Sequence, residues 1–315
     1  MASTQEFRRR IKSVNSTSQI TKAMEMVASV KMQKAQKAIF AARSYVQNSW
    51  NLLETLSKLT SPKDHPLLAV PDKIDKSCVI LITSDRGLCG SFNADVLRKA
   101  TAFLDNERHS REGGNPLLVG SRLHGNDIDF ITIGKKATDF AKRSPKGELV
   151  AEFPGFDNEV PYNNTTSISK IAIDDFLAGK YQKVLVIYSH FESSLRQIPV
   201  VKQILPISEN HIDNLEVWEA EPSENDQKDI AEYKFEPSAD QVLERLIPLF
   251  IRLQVYGAIL ESNSSEHSAR MVAMKSATDN AKELIDDLTL TYNAVRQNSI
   301  TSEIAEITAG SEAMR

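Results

Sequence analysis

From residue 246 onward one helical stripe runs in alternating steps of four and three: Leu246, Phe250, Leu253, Gly257, Leu260, Ser264, His267, Met271, Met274, Thr278, Ala281, Ile285, Leu288, Tyr292 and Val295. Eleven of the fifteen are apolar, so the stripe follows a 3.5-residue period and predicts a long helix that supercoils left-handedly with a partner. The N-terminal segment carries a matching run, Ala28, Met32, Ala35, Ile39, Ala42, Val46, Leu53 and Leu56, whose alanines let a partner helix approach closely. Upstream, Ile20, Met24 and Val27 repeat with an offset of one, which predicts a local change of register. The first proline is Pro62 and the first glycine Gly87, so residues 1–61 hold neither breaker; residues 249–315 hold no proline and only Gly257 and Gly310. A helix of about 55 residues spans roughly 80 Å and cannot fold back into a globule. An antiparallel pair of terminal helices projecting from a compact middle is the economical arrangement, although two separate coiled-coil partners would leave the same stripes.

The middle reads as α/β. β-Rich runs at Cys78–Thr83, Asp129–Ile133 and Lys183–Ser189 alternate with helical patterns over 93–104, 134–143 and 167–178. Residues 196–207 suit an edge strand, because Pro199 removes a ladder donor. This alternation predicts an open, mostly parallel sheet. The glycine-rich stretch 106–127 is expected to be a loop insertion. Three regions follow: an N-terminal coiled-coil helix (1–61), an α/β domain (62–237) and a C-terminal coiled-coil helix (238–315).

Charge changes the picture at one end only. The net charge is −4, yet ten Lys/Arg against Glu6, Glu25 and Glu54 give residues 1–58 a charge of +7. A basic arm on an otherwise acidic chain points to an anionic partner. That partner could be nucleic acid or an acidic protein surface. The charges are spread over 8–43 rather than packed before a zipper, and Phe40 is the only aromatic among them after Phe7, which argues against DNA and single strands. No run approaches the ~18 apolar residues of a membrane span, and no secretory pattern opens the chain. Two cysteines, Cys78 and Cys89, suit a reducing compartment.

The most site-like stretch is the strand-to-helix turn at Gly87, Cys89 and Gly90. Such a turn can aim backbone N–H groups at an anion, but neither a dinucleotide fingerprint nor a P-loop is present. Cys89 has no histidine nearby in sequence to activate it, so the turn is read as structural, with ligand binding and thiol catalysis as the competing readings. The six histidines show no metal-ligand spacing. No catalytic, cofactor-binding or metal-ligating residue is expected. At the C-terminus the stripe fades after Val295 and restarts at Ile300, Ile304 and Ile307, flanked by Arg296, Gln297, Ser299, Thr301 and Glu303. A terminus this apolar suits enclosure by another protein.

Four motifs in order, "ITKAMEMVASVKM" (20–32), "TSDRGLCGSFN" (83–93), "SARMVAMKSATDNA" (268–281) and "RQNSITSEIAEITAG" (296–310), make the chain resemble the γ subunit family of the F-type ATP synthase, the central rotor shaft, over nearly its whole length. Ser91 and Ser311 stand where the family usually has glycine and alanine, and the 106–127 stretch is extra and lacks cysteine. The resemblance implies a Rossmann-like middle domain that is not a nucleotide site, and a coiled coil that enters an α3β3 head. It implies that Arg296, Gln297, Thr301 and Glu303 lie near the β-subunit catch loops, that Lys22 and Met24 face acidic lever segments of β, and that Arg270 sits on the facing helix. Further implied partners are the ε subunit and the membrane c-ring. The implied role is non-catalytic coupling of proton flow to ATP synthesis or hydrolysis at the cytoplasmic face of a bacterial inner membrane; a mature organellar chain would look the same. A coiled-coil scaffold or nucleic-acid-binding protein is the alternative.

Overall fold

Strand β1 (Ser77–Ile82, SCVILI) is buried along its whole length on both faces, as a continuous apolar run at the centre of a sheet must be. The computed structural model describes residues 4–59, 65–69, 71, 74–109, 128–145, 147–157, 160–207 and 238–314. In chain order the elements are α1 (Thr4–Leu59), β1, α2 (Phe92–His109), β2 (Ile128–Ile133), α3 (Lys135–Arg143), β3 (Glu148–Phe153), α4 (Tyr162–Leu177), β4 (Lys183–Phe191), β5 (Gln197–Leu205) and α5 (Ala239–Ala313). Helix α2 runs on to His109, so the expected loop loses its first four residues; the rest of it, 110–127, lies outside the described residues. Helix α5 continues through Pro248 although that residue has no amide for the carbonyl one turn back.

The chain divides into two units, Val30–Ala269 and Met1–Ser29 with Arg270–Arg315. In the first, five strands lie in the order β3-β2-β1-β4-β5. β1 pairs in parallel with β2 and β4, β2 with β3, and β5 closes one edge antiparallel to β4 with Pro199 opposite Ser189. One face (Ile80, Ile131, Val186) packs with α4, α5 and the Ala38–Ala42 part of α1, the other (Val79, Phe130, Ile187) with α2 and α3. Edge strand β3 was not anticipated; its half-exposed ELVAEF carries too little apolar contrast to stand out.

At the amino ends of the central strands a buried carboxylate organises the polar atoms. Asp129, 1% exposed, accepts from the Tyr181 hydroxyl at 2.6 Å and pairs with Lys76 Nζ at 2.8 Å. Burial, with Asp129 beside it, raises the Cys78 thiol to about 12, which leaves it an inert core group.

In the second unit the helices run antiparallel. Arg8 donates to the Tyr292 hydroxyl at 2.9 Å, and the Thr21 and Thr278 hydroxyls meet at 2.7 Å. On α5 the covered positions are those the period predicts, Met271, Met274, Thr278, Ala281, Ile285, Leu288, Tyr292 and Val295. On α1 the repeating covered positions are Phe7, Ile11, Val14, Ser18, Thr21, Glu25 and Ala28, with Met24 half-buried beside them. This seam keeps one uninterrupted register, and the expected offset is corrected: Ile20 and Val27 are 61% and 55% exposed. Polar Ser18, Thr21 and Glu25 occupy the inner positions and hide the register from hydrophobicity. The paired hydroxyls give a direct test. Thr278→Val should cost about 1 kcal/mol by removing the bond across the seam, Thr21 keeping only its bond to the Ser18 carbonyl at 3.1 Å, whereas valine at both positions should be nearly neutral, measured by urea unfolding of the helical signal.

Candidate functional site

The turn after β1 fills itself. Asp85 Oδ1 accepts the Lys135 backbone N–H, the first of α3, at 2.8 Å, and the Gly155 N–H at 3.0 Å. Thr83 Oγ1 accepts the Ala137 N–H at 2.7 Å. These are orphan donors that a helix N-terminus would otherwise offer to an anion. In the order β3-β2-β1-β4-β5 the connections reverse direction between β1 and β4, the place where open α/β sheets take ligands. The chain's own carboxylate and hydroxyl lie at the carboxyl end of β1, on the side of β2 and β3, where they take amides of the residues that follow those strands. Gly134 is held at φ +91 close against Thr83, where a Cβ would fall 2.2 Å from its carbonyl oxygen, so no side chain fits at the entry to α3.

Cys89 is 2% exposed and lies 3.2 Å from the donating Asn93 Nδ2, and Asn93 Oδ1 in turn accepts the Ser84 N–H at 3.1 Å. The thiol is part of the packing that joins strand to helix. Gly90 adopts φ +57 as expected of a turn glycine, but the second left-handed residue is Leu88 at φ +64, not Gly87. A leucine there costs about 1 kcal/mol. Among the described residues no group of three or more His, Cys, Asp or Glu side chains could hold a metal ion. Asp85→Ala should lower the urea midpoint by the equivalent of about 2 kcal/mol, and Asp85→Asn by less, because an amide oxygen can still accept.

The residues expected to meet partners fall in the terminal unit, in two groups. Lys22 has a half-exposed side chain paired with Glu25 at 2.9 Å, and Met24 beside it is half-buried. Arg270 is 9% exposed, so its guanidinium has little free surface. The second group lies roughly 27 Å further along α5, counted as 18 residues from the Thr278 contact. Arg296 is exposed and stacks over the Tyr292 ring at 5.9 Å. Gln297, Thr301 and Glu303 are exposed; the Thr301 hydroxyl donates to the Gln297 carbonyl at 2.9 Å, and Ser299 donates to Glu303 at 3.4 Å.

Two features escaped the sequence reading. Ile20, Met26 and Val27 form an exposed apolar patch on the outside of α1, which becomes legible only once the seam register is known. The second is an overhang. Arg8 meets Tyr292 about one turn from the start of α1, so α5 beyond residue 296 has no described residue of α1 opposite it. Ile300, Ile304, Ile307 and Met314 are 48%, 58%, 72% and 88% exposed there. No helix among the described residues is long and apolar enough to cross a membrane.

Comparison with known proteins agrees with this arrangement. The family described as ATP synthase matches residues 3–314. The ATP synthase gamma chain of Roseiflexus sp. (strain RS-1) is 40% identical over 318 residues, covering 100% of this chain and 99% of that one. The gamma chain of Pelotomaculum thermopropionicum is 40% identical over 316 residues, covering all of both. Among solved structures, a chain of the Euglena gracilis mitochondrial ATP synthase (OSCP/F1/c-ring, rotational state 3) shares the fold with a TM-score of 0.59 at 19% identity, over 99% of this chain and 94% of that one. A rotor chain from the same organism gives 0.55 at 18% identity, over 94% and 98%. The reading of α1 as a nucleic-acid arm finds no support in these relatives. With its family match running from residue 3 to 314 and its relatives aligned end to end, the chain belongs to the ATP synthase gamma chain family.

Proposed function

We propose that this chain is the central rotor shaft of a proton-translocating F-type ATP synthase and carries no catalytic residue of its own. The observation that carries the reading is the bare apolar end of α5: Ile300, Ile304 and Ile307 lie on a helix with no described partner, at a spacing that coats one side. Leaving such a surface in water is unfavourable, and enclosure by a protein head resolves it. Solved relatives whose titles name a rotor, F1 and a c-ring supply the kind of assembly in which a helix end is enclosed.

The mechanism is mechanical. Ion flow turns a membrane ring, the ring turns the sheet unit, and the terminal helices present changing contacts to surrounding α and β subunits. Each β subunit is then biased among its nucleotide-binding states by differential contact, which is what allosteric coupling requires. Arg296, Gln297, Thr301 and Glu303 offer hydrogen bonds and charge to loops around the tip. Lys22, with the exposed Ile20, Met26 and Val27 near it and Met24 half-covered behind, suits acidic, partly apolar levers of β. Arg270, largely covered, supports the seam more than it meets a partner. The sheet unit lies toward the ε subunit and the c-ring, and the chain is peripheral, on the cytoplasmic face of a bacterial membrane.

The test is reconstitution. Purified α and β subunits should gain ATP hydrolysis when this chain is added, at one copy per three αβ pairs, while the chain alone hydrolyses nothing. Deleting residues after Val295 should lower the stimulated turnover roughly fivefold, corresponding to a coupling free energy of about 1 kcal/mol. A chain that neither joins the head nor changes turnover sinks the proposal, and salt-dependent binding of RNA or DNA to α1 would then be measured.

A further inference from the structure

Along α5, residues 261–268 (ESNSSEHS) are all buried although none is aliphatic. Three of these residues lie on one side, Glu261, Ser265 and Ser268, and reach the β4–β5 hairpin through polar contacts. Ser265 Oγ donates to the Ser189 carbonyl at 3.0 Å and Ser268 Oγ to the Ser194 carbonyl at 2.7 Å. Glu261 Oε2 lies 2.8 Å from His190 Nδ1. The serine bonds are neutral and insensitive to pH. The third grip joins a carboxylate with a 4% exposed side chain to an imidazole that is 24% exposed, so water reaches the ring but not the acid.

We propose that His190 and Glu261 form a proton-operated latch that holds the β4–β5 hairpin on α5, closed while the pair carries its proton and loosened when the proton leaves. Three groups face the pair: Tyr188 from β4 faces Glu261, Glu192 from the hairpin turn faces His190, and Lys202 from β5 faces both. With the proton present, the 2.8 Å contact is charge-assisted and the buried carboxylate is neutralised where it stands. Without it, Glu261 keeps a buried negative charge opposed only by Lys202, and the favourable course is to let the hairpin open toward water.

The direction of the pH dependence follows from both partners. His190 is raised above the ordinary 6.5, chiefly by its hydrogen bond to Glu261, and Glu261 is raised chiefly by burial. Each binds its proton more tightly in the folded chain than in the unfolded one. The His190 contribution is therefore complete below the ordinary histidine value and is lost as pH climbs through the raised one, whereas the Glu261 contribution is complete only below the ordinary carboxylate value and is lost through its own raised one. Lys202, lowered by burial to about 8, stays largely charged below that pH and so does not drive the change. The latch concerns this chain alone and does not depend on the rotor reading.

The experiment is hydrogen exchange by mass spectrometry on the full-length chain, following amides of residues 189–198 from about pH 5.5 to about pH 7.5 after correction for intrinsic exchange. Wild-type protection should fall by about tenfold for each unit by which His190 is raised, while His190→Gln and Glu261→Gln should show no such fall. Deuterium uptake at the imidazole C2 positions of the wild type gives the His190 titration without any variant. A His190 midpoint at or below 6.5, an absence of pH dependence in the wild-type hairpin, or the same dependence in His190→Gln overturns the latch.

Discussion

The terminal unit rests on an antiparallel helix–helix seam whose apolar stripe is interrupted by small and polar side chains. Ser18, Thr21, Ala28 and Thr278 lie among the larger apolar residues, and the hydroxyls of Thr21 and Thr278 meet across the seam at 2.7 Å. An apolar seam would tolerate sliding by a turn, because one leucine resembles another. A hydroxyl pair and the Arg8–Tyr292 bond do not, since a shift would break each of these bonds between the helices. The fixed register in turn decides that Ile20 and Val27 look outward, and that α5 beyond residue 296 has no described residue of α1 opposite it.

In the sheet unit the corresponding constraint is carboxylate placement at the two ends of the central strands. Asp129 gathers Lys76 and the Tyr181 hydroxyl at the amino ends, and Asp85 takes the first amide of α3 and that of Gly155 at the carboxyl ends. An open parallel sheet normally leaves its carboxyl end available for a phosphate. Here Asp85 and Thr83 take up three backbone amides at that end from within the chain. Removing either carboxylate would uncover donors that the surrounding helices cannot re-satisfy, a common source of large destabilisation.

Sequence patterning revealed both long helices and four of the five strands because each carries its own period or a continuous apolar run. β3 was missed since an edge strand with one wet face has little contrast. The α1 register near residue 20 was misread for a physical reason: inner positions are chosen for closeness, and serine and threonine satisfy that while lowering the hydrophobic signal. Of the site, the strand-to-helix turn at 87–90 was legible as a turn, but Asp85 reaching α3 some 50 residues on is a long-range contact no local pattern encodes. The Glu261–His190 pair was illegible for the same reason: the two residues are 71 positions apart, on a helix and a strand. Leu88 in a left-handed conformation shows the converse, a residue whose identity predicts the opposite of what the backbone does.

The overhang of α5 also changes the cross-section of the terminal unit along its axis. Where two helices lie side by side, the outline is oval, about twice as wide one way as the other given a helix diameter of about 10 Å. Beyond residue 296 no described residue of α1 lies alongside, and the outline narrows to that of one helix. A turning oval displaces whatever touches it by its shape, whereas a narrow pin displaces little and differs from angle to angle only in the side chains it shows, the Ile300, Ile304 and Ile307 side or the opposite one. The oval stretch therefore works as a cam, and the tip as the pointer of a dial.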